Sequence, residues 1–286
     1  MNSHIQTQVQ SQFRQRFYYR PEYAGYVGVE RECFLTNEHG EIAPIANQVL
    51  ARLKADNPSR ADSFGYELSA CQLEERTCGP CRLDRVHDSL LVNDQQVIES
   101  EKALNYRRLF LPVAPFNMPL DVYPNERYQQ IVQKISVDTL RAACRVAGVH
   151  VHIGLPDHET ALRVYNQAVD HFGELCQMGH TQIGSRLEIY TQAAQNMSKT
   201  QFADHFQLFK GHTVTAFQPP KYASWDEFHK RALRDGFAEN PRNLWDLIRL
   251  SGKGTIEFRM FDTTADLDRI MRWVYRCHEI CRRAMH

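Results

Sequence analysis

The spacing of apolar positions divides the chain into strands and helices. Residues 26–36 (YVGVERECFLT) alternate Val27 and Val29 with smaller or polar neighbours, and predict a strand that ends in the turn cluster 37–41. After Pro44, Ile45, Val49 and Leu53 mark a short helix. Residues 56–63 read as a polar loop and 64–74 as another extended segment. Val86, Leu90, Val97, Ile98 and Leu104 predict a helix over about 83–108. Across 125–147, Tyr128, Ile131, Val132, Ile135, Leu140, Ala143 and Val146 predict one helix closed by Gly148. Asp157 can cap a helix carrying Leu162, Tyr165, Val169, Phe172 and Cys176. Asp266 can cap a last one carrying Leu267, Ile270, Met271, Val274 and His278. Two further strands are VHVHIG (149–154) and TIEFRMF (255–261).

Strand alternation then sorts side chains onto faces. Glu30 and Glu32 share one face, roughly 6.6 Å apart at strand rise, where like charges repel. His150 and His152 lie opposite Val149, Val151 and Ile153. On the last strand Ile256, Phe258 and Met260 are expected inward, with Thr255, Glu257, Arg259 and Phe261 on the polar side. Taken singly, these are a solvated strand face, exposed sheet histidines and a cross-strand salt bridge. Their joint occurrence on three strands favours a site. Carboxylates with histidine suit Mg²⁺, Mn²⁺ or zinc, and arginine beside them suits phosphate or carboxylate. Arg31 falls on the apolar side with Val27, Val29 and Cys33, and needs a carboxylate partner or an exit to solvent.

Composition narrows the class. The chain has 286 residues, long enough for a substantial core, and shows no repeat or interior boundary; a single domain over 25–286 is expected after a polar, glutamine-rich tail or docking arm at 1–24. Lysine plus arginine and aspartate plus glutamate both total 34, so no bulk attraction to nucleic acid or anionic membranes is expected. No apolar run reaches the roughly 20 residues of a membrane span, and the first residues lack the apolar core of a secretory signal, so a cytoplasmic protein is expected. The eight cysteines should then be reduced thiols; Cys78 and Cys81 form a CxxC without a matching second pair for zinc. There is no GxxxxGK[ST] loop, no GxGxxG between a strand and a helix and no GxSxG elbow. If ATP is used, metal ions held by carboxylates must carry its phosphates.

Five segments, VGVERE (27–32), YELSACQLE (66–74), PNERYQQIV (124–132), GVHVHIGLPD (148–157) and GTIEFRMFDT (254–263), occur in the order found in one family. Over roughly residues 26–275 the chain resembles the carboxylate–amine ligases of the bacterial glutamate–cysteine ligase type 2 family, relatives of glutamine synthetase. The resemblance implies an α+β fold, a mainly antiparallel sheet curved into a cup with helices on its outer face. It implies ATP and Mg²⁺ or Mn²⁺ in the cup, with Glu30, Glu32, Glu74 and Glu257 as metal ligands. His150 and His152 would face nucleotide or metal, Arg259 the phosphates and Arg186 the substrate, with Arg127 also facing the nucleotide; Arg259, Arg186 and Glu74 would stand nearest the chemistry. The implied reaction transfers the γ-phosphoryl of ATP to a small carboxylate, such as glutamate, and lets an amine, such as cysteine, displace phosphate to form an amide. Small molecules would be its partners, and a homo-oligomer is compatible with it.

Some positions depart from the family pattern. The second strand usually carries three acids; here Glu67 and Glu74 keep the outer two and Ala70 replaces the middle one. Glu67 and Glu74 have opposite parity, so both reach one face only across a bulge or break, and Glu74 is the expected ligand. VAP (113–115) lacks a histidine common in relatives, the stretch between Leu175 and Arg186 is short, and the customary C-terminal helical region is expected to be missing. A non-catalytic descendant that binds nucleotide or metabolite, and a metal-dependent hydrolase, are the competing expectations.

Overall fold

In the computed structural model, which describes residues 12–179, 185–197 and 218–286, seven strands pair antiparallel into one sheet. β1 (Val27–Thr36) is central. β2 (Phe64–Tyr66) and β3 (Gln72–Arg76) extend the sheet from one edge of β1, and β4 (Arg107–Leu109) pairs with its last residues. β5 (Gly148–Gly154) continues from the other edge to β7 (Thr255–Asp262) and then β6 (Ile248–Ser251). The architecture is α+β with an open antiparallel sheet, in keeping with the fold class that the family resemblance implies.

The core face is β-branched and aromatic, the residue classes that pack best on a pleated surface. Val27, Val29, Val149, Val151, Ile153, Ile256 and Phe258 are all buried there. Against them pack α5 (His158–Asp170), α6 (Phe172–Gly179) and α9 (Leu267–Met285). α1 (Ala46–Asp56) and α2 (Val86–Leu104) enclose a second cluster around Cys33, Leu35, Phe64 and Leu73. α3 (Glu126–Val132), α4 (Val137–Cys144) and α7 (Ser185–Met197) contribute side chains to a cavity over the opposite face, so helices flank both sides of the sheet. α8 (Trp225–Asp235) receives the N-terminal arm, with Phe13 and Phe17 buried against Trp225 and Phe228.

Several boundaries differ from the periodic pattern. The helix predicted over 125–147 is two helices, because Ser136 interrupts it: its hydroxyl accepts the Thr139 N–H at 3.2 Å and starts α4. Asp157 caps as expected, accepting the Thr160 N–H at 2.8 Å, but α5 stops at Asp170 and Phe172 and Cys176 belong to α6. Asp266 caps α9 through the Arg269 N–H at 2.9 Å. The extended segment 64–74 is broken between β2 and β3, with Glu67 in the break. In β7 two residues, Arg259 and Met260, stand opposite the single His150, since Val149 pairs with Phe261 and Val151 with Phe258. The bulge reverses parity: Phe261 turns into the core and stacks on Trp273 at 4.9 Å, contrary to its expected polar-side position. All eight cysteines are free thiols.

Arg31 finds its carboxylates. Fully buried on the core face, it donates to Oε2 of Glu75, its cross-strand neighbour, at 2.7 Å, and also to Asp94 of α2. Arg108 of β4 bonds the same two acids, at 2.9 and 2.6 Å, and Glu101 at 3.3 Å. The two guanidiniums lie over the Phe110 ring at 5.0 and 5.6 Å. Removing one member of such a network strands the others without water. Arg31→Met is expected to cost about 3–5 kcal/mol of unfolding free energy in urea titrations, and a loss near zero would show that Arg108 alone neutralises the cluster.

Candidate active site

Over the polar face of the sheet lies a cavity of about 680 Å³, and the register of the strands determines what lines it. Glu30 stands between Arg76 of β3 and His150 of β5, and Glu32 stands opposite Glu74. His152 faces Glu257, which faces Arg249 on β6. Every site residue predicted from sequence lines this cavity: Glu30, Glu32, Glu74, His150, His152, Glu257, Arg259, Arg186 and Arg127.

Two groups of ligand-type atoms form within it. Glu30, His152 and Glu257 make one, and Glu32, Glu67 and Glu74 the other; in each, the atoms lie within 4.8 Å of one another. Glu67 corrects the sequence reading that favoured Glu74 alone. The break after β2 frees it from strand parity, so both acids reach the same place. His150 stands between the groups, Nδ1 3.3 Å from Glu30 Oε2 and Nε2 3.4 Å from Glu32 Oε1.

The groups differ electrostatically. Burial penalises Glu30, but His152 and His150 outweigh it and hold its carboxyl well below the usual range. Burial likewise opposes ionisation of Glu257, yet Arg249 and Arg259 keep it low. Arg249 grips Glu257 with two bonds, 2.7 and 3.1 Å, and Arg259 donates to the same carboxylate. In the second group burial prevails. Glu32 is pushed up to about 7, opposed by Arg186 and Arg259 and reinforced by Glu74. Glu74 and Glu67 are raised by burial and then by neighbouring carboxylates. Burial, then Arg259, lowers His150 to about 3, leaving it neutral.

Positive charge lines the walls. Arg259 is held by Glu257 and by the Tyr190 hydroxyl at 3.1 Å. Arg186, from α7, crosses β5 above Gly148, where any Cβ would overlap its guanidinium, and donates to the Arg259 carbonyl at 3.3 Å. The Gly148 N–H donates to Glu32 at 2.7 Å. Arg127, Arg242 and Arg249 complete a basic side. Arg249 was overlooked in the sequence, although a tight turn places it opposite Glu257 in a hairpin, and that spacing was the available signal. The donor set fits Mg²⁺ or Mn²⁺: carboxylate oxygens dominate, and His152 Nε2 is buried without a hydrogen bond beside Glu30.

The family model described as Glutamate-cysteine ligase family 2 matches residues 26–175. The chain belongs to that family. A relative from Mycobacterium sp. (strain KMS), named "Putative glutamate--cysteine ligase 2-2", is 28% identical over 247 residues, covering 84% of this chain and 63% of the relative. Another, from Paracidovorax citrulli (strain AAC00-1) and named "Putative glutamate--cysteine ligase 2", is 26% identical over 265 residues, covering 85% and 63%. The chain thus spans 63% of the length of each of these two curated relatives. Within this member of glutamate–cysteine ligase family 2, the matched stretch supplies Glu30, Glu32, Glu67, Glu74, Arg127, His150 and His152, while Glu257, Arg259, Arg249 and Arg186 come from later residues. Among the described residues no helix is long and apolar enough to cross a membrane.

The raised carboxyls have a stability consequence. Without metal, the folded protein keeps a proton on Glu32 up to about pH 7, whereas the unfolded chain releases it near its ordinary value of about 4.3. The folded state therefore binds more protons in that window, and its stability falls as pH rises from about 4.5 through 7, by on the order of 3 kcal/mol for Glu32. Glu30 and Glu257 act oppositely, their contribution being lost only as pH falls below the ordinary carboxylate range. Because burial holds His150 low, it makes stability climb with pH below about 6.5, so the measurement is a difference: in thermal unfolding of metal-free protein between pH 5 and 8, the wild-type midpoint is expected to fall relative to that of Glu32→Gln as pH rises. A wild-type midpoint that climbs relative to that of the variant across this range contradicts the assignment.

Proposed function

We propose that this protein is an ATP- and Mg²⁺-dependent ligase that joins a small carboxylate, glutamate by the names of its relatives, to an amine such as cysteine. The observation that supports this best is the pairing, within one cavity, of two carboxylate groups with an arginine-lined wall. Glu30, His152 and Glu257 would hold one divalent cation, and Glu32, Glu67 and Glu74 a second. Mg²⁺ bound there supplies neutralisation of phosphate charge.

The chain's own groups account for the rest. A carboxylate resists attack by an amine because its charge is delocalised and oxide is a poor leaving group, so it must first be phosphorylated. Arg259 is buried and fixed by Glu257 and Tyr190, so its charge is already oriented for a transferring phosphoryl group. Arg186, whose Nε is buried without a hydrogen bond, is a second donor on the same side. Arg127 and Arg242 also line the cavity, suited to anionic groups of nucleotide or acid. The cavity has the size of those that hold small-molecule ligands.

The decisive assay is ADP release across a panel of amino acids and amines, with and without Mg²⁺. Release is expected only with nucleotide, metal and a matched pair together. Arg259→Met is expected to lower it by about 10²–10³-fold, and Glu30→Gln to lower it by raising the Mg²⁺ requirement. Absence of ADP release from every pair would sink the proposal. Metal-dependent hydrolysis without ATP would instead identify a hydrolase built on the same acids.

A further inference from the structure

Glu30 divides its two oxygens between different partners. Oε2 faces the histidines, 3.3 Å from His150 Nδ1 and 3.5 Å from His152 Nε2. Oε1 faces Lys253, whose Nζ lies 3.6 Å away. The other cations at this end of the site are held fast. Arg249 is bonded twice to Glu257 and once to the Leu244 carbonyl, and Arg259 is bonded to Glu257 and Tyr190. Lys253 differs, with a side chain that is 70% exposed at the cavity wall.

Its backbone, by contrast, is fastened. Lys253 sits in the turn between β6 and β7, where the Tyr18 N–H donates to the Gly252 carbonyl at 3.1 Å and the Leu155 N–H to the Gly254 carbonyl at 3.0 Å. Gly254 has φ +77°, and a side chain there would collide with the Tyr18 carbonyl. The N-terminal arm that supplies Tyr18 is itself anchored by buried Phe13 and Phe17 and by Arg16 on Glu239. The stem of Lys253 therefore starts from a fixed point, while its ammonium is free to swing on four carbons.

We infer that Lys253 is a built-in counterion for Glu30 that competes with the divalent cation for that carboxylate, swings away when metal binds, and then turns its charge towards an anionic ligand in the cavity. The inference rests on the metal and nucleotide reading proposed above. An ammonium on Oε1 and a divalent cation on the same carboxylate beside His152 repel each other, so the lysine opposes metal binding. Once displaced, the same charge favours phosphate. One side chain thus acts with opposite sign on two ligands and couples their binding. A lysine with a merely structural role would move neither affinity.

The test uses the full chain and two probes, Mn²⁺ alone and ADP at saturating Mn²⁺, both by calorimetry. Lys253→Met is expected to bind Mn²⁺ about two- to fivefold more tightly, the range of a partly exposed ion pair, and ADP more weakly by a similar factor. Lys253→Arg is expected to keep the ADP affinity. Unchanged or weaker Mn²⁺ binding in Lys253→Met, or unchanged ADP binding, overturns the inference. When Glu30→Gln weakens Mn²⁺ binding in the same series, the metal site itself stands and only the role of Lys253 fails. Wild-type protein that binds no Mn²⁺ removes both.

Discussion

Repulsion among buried carboxylates is the constraint on which the rest of the structure turns. Glu30, Glu32, Glu67, Glu74 and Glu257 converge on one face of the sheet, where each loses water and sees others of its own charge. The fold meets this in two ways. Around Glu30 and Glu257 it supplies histidines and arginines, and both acids stay ionised. Around Glu32, Glu67 and Glu74 burial prevails, and the carboxyls are pushed towards their protonated forms. A divalent cation would satisfy the second group by placing positive charge where protons otherwise reside.

The reverse of β1 shows the same chemistry with opposite sign. Arg31 stands between Glu30 and Glu32 in sequence but points into the core, where Glu75, Asp94 and Arg108 surround it. Such a cluster is weak evidence of net stability, because desolvating its members offsets much of the attraction between them. Its effect is geometric. Hydrogen bonds from one residue to β3 and α2 fix β1 from behind, and the acids on its front share that backbone. A ligand set must hold its atoms within a fraction of an ångström, and a strand pinned on both faces provides this better than a loop.

Much of the site was legible because strand alternation is a two-residue rule. Glu30 with Glu32, His150 with His152, and Glu257 with Arg259 each share a face by parity, and the antiparallel register brings the three strands together. What escaped lies where the rule is suspended. Glu67 reaches the site because the chain leaves the sheet between β2 and β3. Phe261 reaches the core because the β7 bulge inserts one residue after Arg259. The helix over 125–147 looked continuous because apolar spacing persists across its interruption, while the Ser136 cap that breaks it is a local hydrogen bond invisible to periodicity. The need of Arg31 for a carboxylate was readable from its face. That Asp94 and Glu75 meet it was not, since the contact with Asp94 joins residues far apart in sequence.

The position of these residues along the chain bears on how the site is assembled. The family match ends at residue 175, and the group of Glu32, Glu67 and Glu74 lies wholly within it. The group of Glu30, His152 and Glu257 is completed only from beyond that point, by β7, with Arg249 and Arg259 as its supports. Its formation therefore requires β5 to pair with β7, a contact of long sequence separation that must await closure of the intervening chain. Glu257 and Arg259 reach the site through that pairing, and the β6–β7 hairpin carries Arg249 and the turn bearing Lys253 with them, whereas Glu30 is kept ionised by histidines from the pairing of β1 with β5. The hairpin of β6 and β7 thus brings three of the cations that line the cavity, Arg249, Lys253 and Arg259.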